Sequence, residues 1–528
     1  MQRVIIYDTT LRDGMQGSGI NYTLEDKLAI ARQLDAFGID YIEGGFPLSN
    51  RKEAEFFRQV REQGLARSRV AAFGSTRRPH QAAATDPHLR ALLEAGTPTV
   101  TVVGKAWTEH VHHVLRTSPD ENLRMIRDSV ELLKAEGREV FFDLEHFFDG
   151  YKQDPGYCLA VLEAASGAGA DCLVLCDTNG GTLPSEVSRI IAGLPRDRLA
   201  CLGIHCHNDT ETAVANSLAA VEAGAVHVQG TINGWGERCG NANLCAVVPN
   251  LVLKMQREVA CAPNLRHLTS LARFVAEKAN IIPDKRQPYV GEAAFSHKAG
   301  QHADVVAKAP RLMEHIAGEL VGNERRLILS ELAGKSTVVR RLDKYGSFDK
   351  SSEVVQRLTG QLKELEEAGY EYEAAEASFD LLARRALERY HPLFELRNYH
   401  LESFKVPDSP ARTVGRIFLL TNGSKELMGA AVGVGPVETL DYCLRDALGS
   451  RHPFLSKVKL VDFAVRVLNP ERATAARVRV FVTSSDGERT WSTVGVSENI
   501  IEASWQALVD AMEYYYNNYV LETGEAGQ

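Results

Sequence analysis

Eight short apolar runs recur through the first half of the chain, each followed by residues with helical spacing. The runs are Val4–Tyr7, Tyr41–Glu43, Val70–Phe73, Thr99–Val103, Val140–Leu144, Cys172–Cys176, Leu202–His205 and Ala225–Val228. Between them, segments such as Leu24–Phe37, Asn122–Glu136 and Ala213–Ala223 carry apolar residues three and four positions apart. Eight strand–helix units in about 250 residues match the count and length of a (β/α)8 TIM barrel. An open doubly wound sheet is the rival. Polar motifs follow nearly every run, however, as a ring of loops at one barrel face requires.

The barrel is expected over 1–261. From 262 to 410 the pattern is mostly helical and charged, as in Ser352–Ala368 and Glu373–Arg389, and reads as a connecting region. From 411 to 528 the runs Ile417–Leu420, Lys457–Val465 and Ala476–Thr483 read as strands, and Val437–Ala447 and Ile500–Asn517 as helices. This predicts a C-terminal α+β domain with its own core. The net charge of −9 comes with no basic block, so nucleic-acid binding has no electrostatic support. No apolar run has the length of a membrane span, and the N-terminus has no signal-peptide pattern. The nine cysteines are odd in number and lack a zinc-type CxxC pair. Reduced core thiols in a cytoplasmic protein are expected.

The strand ends carry the candidate chemistry. His205 and His207, in Gly203-Ile204-His205-Cys206-His207, lie two residues apart and so project to one face of a strand. Asp13, in the loop after the first run, offers a carboxylate. Two imidazoles and a carboxylate suit a divalent Lewis acid, Mg2+, Mn2+ or Zn2+. Asn241 is a further carbonyl ligand or a donor to the ligands. Arg12 could polarise a carbonyl or clamp a carboxylate. Thr178 could hydrogen-bond a substrate carboxylate, and Glu145 suits proton transfer or the orientation of a water. Glu43 either lies near this site or simply stabilises the first turn of a helix or pairs with an arginine. His110, His112 and His113 read as loop or surface histidines. Gly44-Gly45 and Gly180-Gly181 read as turn glycines.

In the C-terminal region, Gly433-Val434-Gly435-Pro436 and Gly495-Val496-Ser497-Glu498-Asn499-Ile500 place glycines before a helix. Glycine allows close backbone approach, and helix N-terminal amides favour a carboxylate. These loops could grip an amino acid, with Val434, Val496 and Ile500 against its side chain.

Three motifs carry a resemblance: Asp8-Thr9-Thr10-Leu11-Arg12-Asp13-Gly14, His205-Cys206-His207-Asn208-Asp209 and Gly236-Glu237-Arg238-Cys239-Gly240-Asn241-Ala242. They are similar to the defining motifs of the DRE-TIM metallolyases. Within that superfamily the chain resembles the acyl-CoA-dependent Claisen synthases of the 2-isopropylmalate, homocitrate and citramalate type. Glu43-Gly44-Gly45-Phe46-Pro47, Phe73-Gly74-Ser75-Thr76-Arg77-Arg78 and Asp143-Leu144-Glu145-His146 look most like the citramalate branch. The resemblance implies a metal-dependent condensation of acetyl-CoA with pyruvate, in isoleucine biosynthesis; the near rival is the 2-isopropylmalate synthase reaction with 2-oxoisovalerate, for leucine, and a more distant one is carbon–carbon cleavage like that of the hydroxymethylglutaryl-CoA lyases. Asp13, His205 and His207 are then the metal ligands, Arg12 contacts the keto acid, and Glu145 and Thr178 belong to the substrate site. It implies that His302, rather than His297, reaches the active site of the partner subunit of a homodimer. It also implies a regulatory C-terminal domain, for which isoleucine is the expected effector. Phe46 and Leu144 are expected near the keto-acid pocket.

Overall fold

A computed structural model of the chain describes residues 2–195, 199, 201–297, 305–306, 308–327, 335–421, 425–469, 472 and 475–521. The chain divides into two compact units. One comprises Met1–Phe295 with Ile316–Arg325, the other Ser296–His315 with Arg326–Gln528.

In the first unit, the eight expected runs all form strands: β1 (Ile5–Asp8), β2 (Tyr41–Gly45), β3 (Arg69–Ser75), β4 (Thr99–Lys105), β5 (Glu139–Glu145), β6 (Cys172–Asp177), β7 (Cys201–Cys206) and β8 (His227–Gly230). They pair in parallel and in sequence order, and β1 closes on β8 with Ile5 opposite His227 and Asp8 opposite Gly230. Parallel strands are covered on both faces, which explains why β6 is buried throughout and reads as a continuous apolar run. The helix Leu24–Phe37 has the bounds its spacing predicts. Thr23 and Asp26 form a reciprocal capping box at its start, and Gly38 ends it with φ of 95°.

The two-residue period sorts each strand. On β5, Val140, Phe142 and Leu144 pack in the layer shared with the helices. Phe141 packs instead with Tyr7, Tyr41, Ala71 and Val174 inside the barrel. Leu144 therefore faces away from the barrel axis. The expectation that it lies near a substrate pocket is corrected, because Asp143 and Glu145 hold the inward positions.

The second unit holds the C-terminal sheets and most of the connecting region. A short parallel pair, β9 (Ser296–His297) and β10 (Arg326–Leu327), belongs to it. Two antiparallel three-stranded sheets follow. One contains β11 (Glu395–Phe404), β12 (Arg412–Thr421) and β13 (Lys425–Gly433). The other contains β14 (Lys459–Val467), β15 (Val478–Ser485) and β16 (Thr490–Ser497). The helices Pro436–Leu448 and Ile500–Tyr515 cover them. The connecting-region helices Glu353–Glu367 and Glu376–Ala386 share a core with Val494 and Val496 of β16. Strand β11 lies where a helical connection was expected. Its side chains are nearly all exposed, so it lacks the apolar alternation that marks a half-buried strand. Among the described residues, no helix is long and apolar enough to cross a membrane.

One barrel-interior residue has a consequence for stability. His227 is buried among Tyr7, Tyr41 and Phe141, with ring centroids 5.2, 6.5 and 5.0 Å away, and neither ring nitrogen has a hydrogen-bond partner. Burial pushes its pKa down to about 3. Below the ordinary histidine value of about 6.5 the unfolded chain takes up a proton that the folded barrel refuses, so stability is lost as the pH falls through this window. His227→Leu should remove that loss, about 1.4 kcal/mol per pH unit between pH 6 and pH 4. Urea midpoints measured across the range check it; parallel pH profiles for wild type and variant would refute it.

Candidate active site

The loop after β1 is shaped by Asp8. Its buried carboxylate accepts hydrogen bonds from the Thr10 amide and hydroxyl, both 2.9 Å, and the Thr10 hydroxyl accepts from the Ile232 amide. Burial raises the Asp8 pKa to about 7. This turn delivers Arg12 and Asp13 to the C-terminal face of the barrel.

Arg12 donates from Nε to Glu43 Oε2 at 2.5 Å, and its Nη1 lies 3.4 Å from Asp13. Its guanidinium sits 4.0 Å from the centre of the Phe73 ring. Burial works against the arginine's charge, but Glu43 and Asp13 outweigh it and hold the pKa above its ordinary range. Glu43 is wholly buried and also accepts from the Tyr7 hydroxyl at 2.8 Å. A register shift between β2 and β3 falls at Glu43 and Gly45, a bulge that re-aims the carboxylate. Of the readings left open for Glu43, pairing with an arginine and a place near the site hold together, because the arginine is Arg12; it does not serve a helix's first turn.

Asp13, His205 and His207 converge. Asp13 Oδ2 lies 3.2 Å from His205 Nε2 and 3.9 Å from His207 Nε2, and the two imidazole nitrogens are 3.3 Å apart. Burial would raise the Asp13 pKa, but Arg12 and His205 hold it well below the usual carboxylate range. Burial and the neighbouring His205 push the His207 pKa down to about 4. Burial disfavours the His205 charge too, yet its bond to Asp13 raises the pKa. Asn241 meets the group through its amide nitrogen, 2.8 Å from Asp13 Oδ2. The three ligand atoms lie within 4.8 Å of one another, and Asp13 Oδ1 is buried without a hydrogen-bond partner. A set of two imidazoles and one carboxylate with an unsatisfied oxygen fits a divalent cation.

Glu145, at the end of β5, forms an ion pair with Lys105, its ladder partner on β4. The next residue, His146, takes φ of 56°, and its ring bonds Asp149 at 3.0 Å. His110 stacks on Trp107 and lies 4.3 Å from the His146 ring centre. His110 is thus no ordinary surface histidine, which corrects the sequence reading, whereas His112 and His113 are exposed as expected. His110, Glu145 and His146 also have the spacing of metal ligands, but the Lys105 ammonium already supplies the cation there. The Thr178 hydroxyl accepts from the His146 amide at 2.9 Å and keeps its own proton to donate. Phe46 packs edge-on against Phe73, 6.3 Å between centres, beside Arg12.

His302 lies outside the described residues, and His297 bonds Glu314 at 3.1 Å within the second unit. Around the C-terminal loops, Val434 is exposed, its amide donates to Glu438 at 2.7 Å, and Gly435 caps the helix Pro436–Leu448. Gly433 ends β13, where a side chain would press on Thr439 and Glu438. Gly495 lies inside β16 rather than at a helix entry, and a Cβ there would collide with the Ala503 carbonyl. Val496 is buried, Ser497 ends the strand, and Ile500 opens the following helix.

Lys105, Asp143 and Gln229 escaped the sequence reading. The signal for Asp143 was available: a carboxylate two residues before Glu145 inside an apolar strand must face the same interior.

Residues 3–275 match the HMGL-like family, 289–370 the homocitrate synthase post-HMGL domain-like family, and 373–516 the LeuA allosteric (dimerisation) domain. The chain is 49% identical over 515 residues to an (R)-citramalate synthase of Aquifex aeolicus, covering 97% of this chain and 98% of that protein. It is 48% identical over 522 residues to an (R)-citramalate synthase of Synechocystis sp., covering 96% of this chain and 95% of that protein. The chain belongs to the citramalate synthase branch of the HMGL-like family. A probable 2-isopropylmalate synthase of Methanosarcina mazei is more distant, 30% identical over 520 residues and 98% of this chain. In this HMGL-like barrel Arg12 is held between two carboxylates, Glu43 at 2.5 Å and Asp13 at 3.4 Å. Glu43→Leu should strand the guanidinium and cost roughly 3–5 kcal/mol of stability. Arg12→Leu/Glu43→Leu should cost less, because both members of the pair are removed and Asp13 keeps its contact with His205; urea unfolding of both variants tests the order.

Proposed function

We propose that this chain is an acyltransferase that condenses acetyl-CoA with pyruvate, giving citramalate and CoA. The observation that carries the reading is identity of 45–49% along nearly the whole chain to proteins named (R)-citramalate synthase, against 30–32% for probable 2-isopropylmalate synthases. The site at the C-terminal ends of β1, β5, β6 and β7 has the groups such a reaction needs.

Asp13, His205 and His207 would hold a divalent cation, which supplies Lewis-acid polarisation of the keto carbonyl. Asn241 holds the Asp13 carboxylate in place. Arg12, kept charged by Glu43, faces the negative charge that grows on the keto oxygen as the carbon–carbon bond forms. Thr178 donates its hydroxyl proton to the keto acid's carboxylate. Glu145 takes a proton from the acetyl methyl group or aligns the water that cleaves the thioester, and Lys105 holds its carboxylate in place through their ion pair. The methyl carbon, having given up a proton, attacks the keto carbon of pyruvate; the carbonyl π electrons move onto the keto oxygen, which takes up a proton to become the product hydroxyl. Water then adds to the thioester carbonyl, the carbon–sulfur bond breaks, and CoA leaves.

The same reading divides the chain into a catalytic barrel over 1–261, a connecting region over 262–410 that completes the site, and a regulatory and pairing domain over 411–528. His302 would complete the partner's site in a homodimer. The LeuA match supports pairing through the C-terminal region. The protein would work in the cytoplasm, on the route to isoleucine.

CoA release measured with pyruvate, 2-oxobutyrate, 2-oxoisovalerate and 2-oxoglutarate tests the substrate. Pyruvate should exceed 2-oxoisovalerate in kcat/KM by on the order of a hundredfold, because a pocket fitted to a methyl group excludes an isopropyl group. A preference for 2-oxoisovalerate would move the chain to the isopropylmalate branch.

Isoleucine would act as feedback effector in the C-terminal loops, with Gly433, Val434 and Gly435 on one side and Gly495, Val496, Ser497 and Ile500 on the other. Inhibition then reflects its tighter binding to a less active state. Calorimetry on the full chain should show isoleucine binding tighter than leucine. The exposed Val434→Glu change should weaken isoleucine at least about tenfold, the cost of one lost apolar contact and one added repulsion. Undiminished binding to the variant would place the effector elsewhere.

A further inference from the structure

Gln229 is the ladder partner of His205, on the strand beside it. Its Oε1 lies 2.9 Å from His205 Nδ1, and its Nε2 donates to Asp143 Oδ1 at 3.1 Å. All three side chains are buried: Gln229 is 0% exposed, Asp143 3% and His205 5%. They come from β8, β5 and β7, so the chain of contacts crosses the barrel interior just beneath the Asp13–His205–His207 group.

We infer that Gln229 is a positioning residue that fixes the tautomer and ring orientation of His205, and that Asp143 fixes Gln229. This rests on the reading of His205 as a metal ligand. An amide side chain has one accepting oxygen and one donating nitrogen. Asp143 accepts, so the amide nitrogen faces Asp143 and the carbonyl faces His205. A carbonyl only accepts, so His205 carries its proton on Nδ1. In the neutral ring that a metal ligand requires, the lone pair is then on Nε2, the atom 3.2 Å from Asp13 and 3.3 Å from His207. The opposite amide orientation would place a donor against Nδ1, push the proton to Nε2 and close that nitrogen to a cation. Outer partners of this kind set ligand orientation and basicity, and losing one costs metal affinity.

The test is Mn2+ binding by full-length protein, read from the electron paramagnetic resonance signal of free Mn2+. Gln229→Leu keeps the volume and removes both bonds; its affinity should fall about 10- to 100-fold. The exchange Asp143→Asn with Gln229→Glu rebuilds the chain in reverse chemistry. Glu accepts from Nδ1, and Asn donates to Glu. Its affinity should return to within about threefold of wild type. The visible absorption of the Co2+-loaded forms should change in Gln229→Leu and return in the exchange variant, which a loss of packing alone would not produce. If Gln229→Leu fails to fold, Gln229→Asn, too short to reach His205, must show the same loss. Wild-type affinity in the single variants, or an exchange variant as weak as they are, would overturn the inference while leaving the metal reading in place. Failure of wild type to bind Mn2+ would overturn both.

Discussion

A guanidinium buried against a carboxylate sets the terms for the whole barrel mouth. Arg12 and Glu43 meet at 2.5 Å, with Glu43 completely out of water. Taking both charges from water is expensive, and the attraction repays it only when the geometry is good and the remaining lone pairs are satisfied. The remaining valences are used. Tyr7 donates to Glu43 and lies 2.6 Å from the Thr101 hydroxyl, which ties β1, β2 and β4 together below the site. Phe73 closes one face of the guanidinium. The pair is weak evidence for stability in its own right. Its effect is to hold a permanent positive charge at a fixed place beside Asp13.

That fixed charge organises the titratable groups around it. Asp13 stays ionised although buried, because Arg12 and His205 both favour its anion. Asp143, farther from a cation and close to Glu43, is pushed the other way, up to about 7, chiefly by burial. Two carboxylates in one barrel interior are thus driven apart by their surroundings, one suited to holding a cation and the other to a hydrogen-bonded supporting place. On the β5 side, Lys105 and Glu145 form a second ion pair, with the partners drawn from paired positions of adjacent strands.

Much of this was readable without coordinates. The eight strands followed from apolar runs of the right number and spacing, and the Asp13–His205–His207 group from residue types at strand ends. What stayed hidden depends on register between strands distant in sequence. Lys105 and Glu145 are 40 residues apart, and His205 and Gln229 are 24 apart. No local pattern marks such pairs until the ladder is known. Leu144 was misplaced for a nearer reason: its neighbours Asp143 and Glu145 already claimed the interior phase of the strand. His110 was underrated because its partner, His146, lies on a different βα loop. Strand β11 was missed because burial, which writes alternation into a sequence, is nearly absent there.

The parallel register of β7 and β8 also limits how this chain can diverge. Side chains on β8 alternate between the interior and the helix layer, with His227 and Gln229 inward and Val228 packed in the outer layer. Deleting one residue within β8 would exchange the two sets, turn a valine toward His205 and send an amide into an apolar layer. Loops between the strands carry no such phase. Length variation among descendants of this chain should therefore collect in the connections and be nearly absent inside the eight strands, even at positions that never touch a substrate.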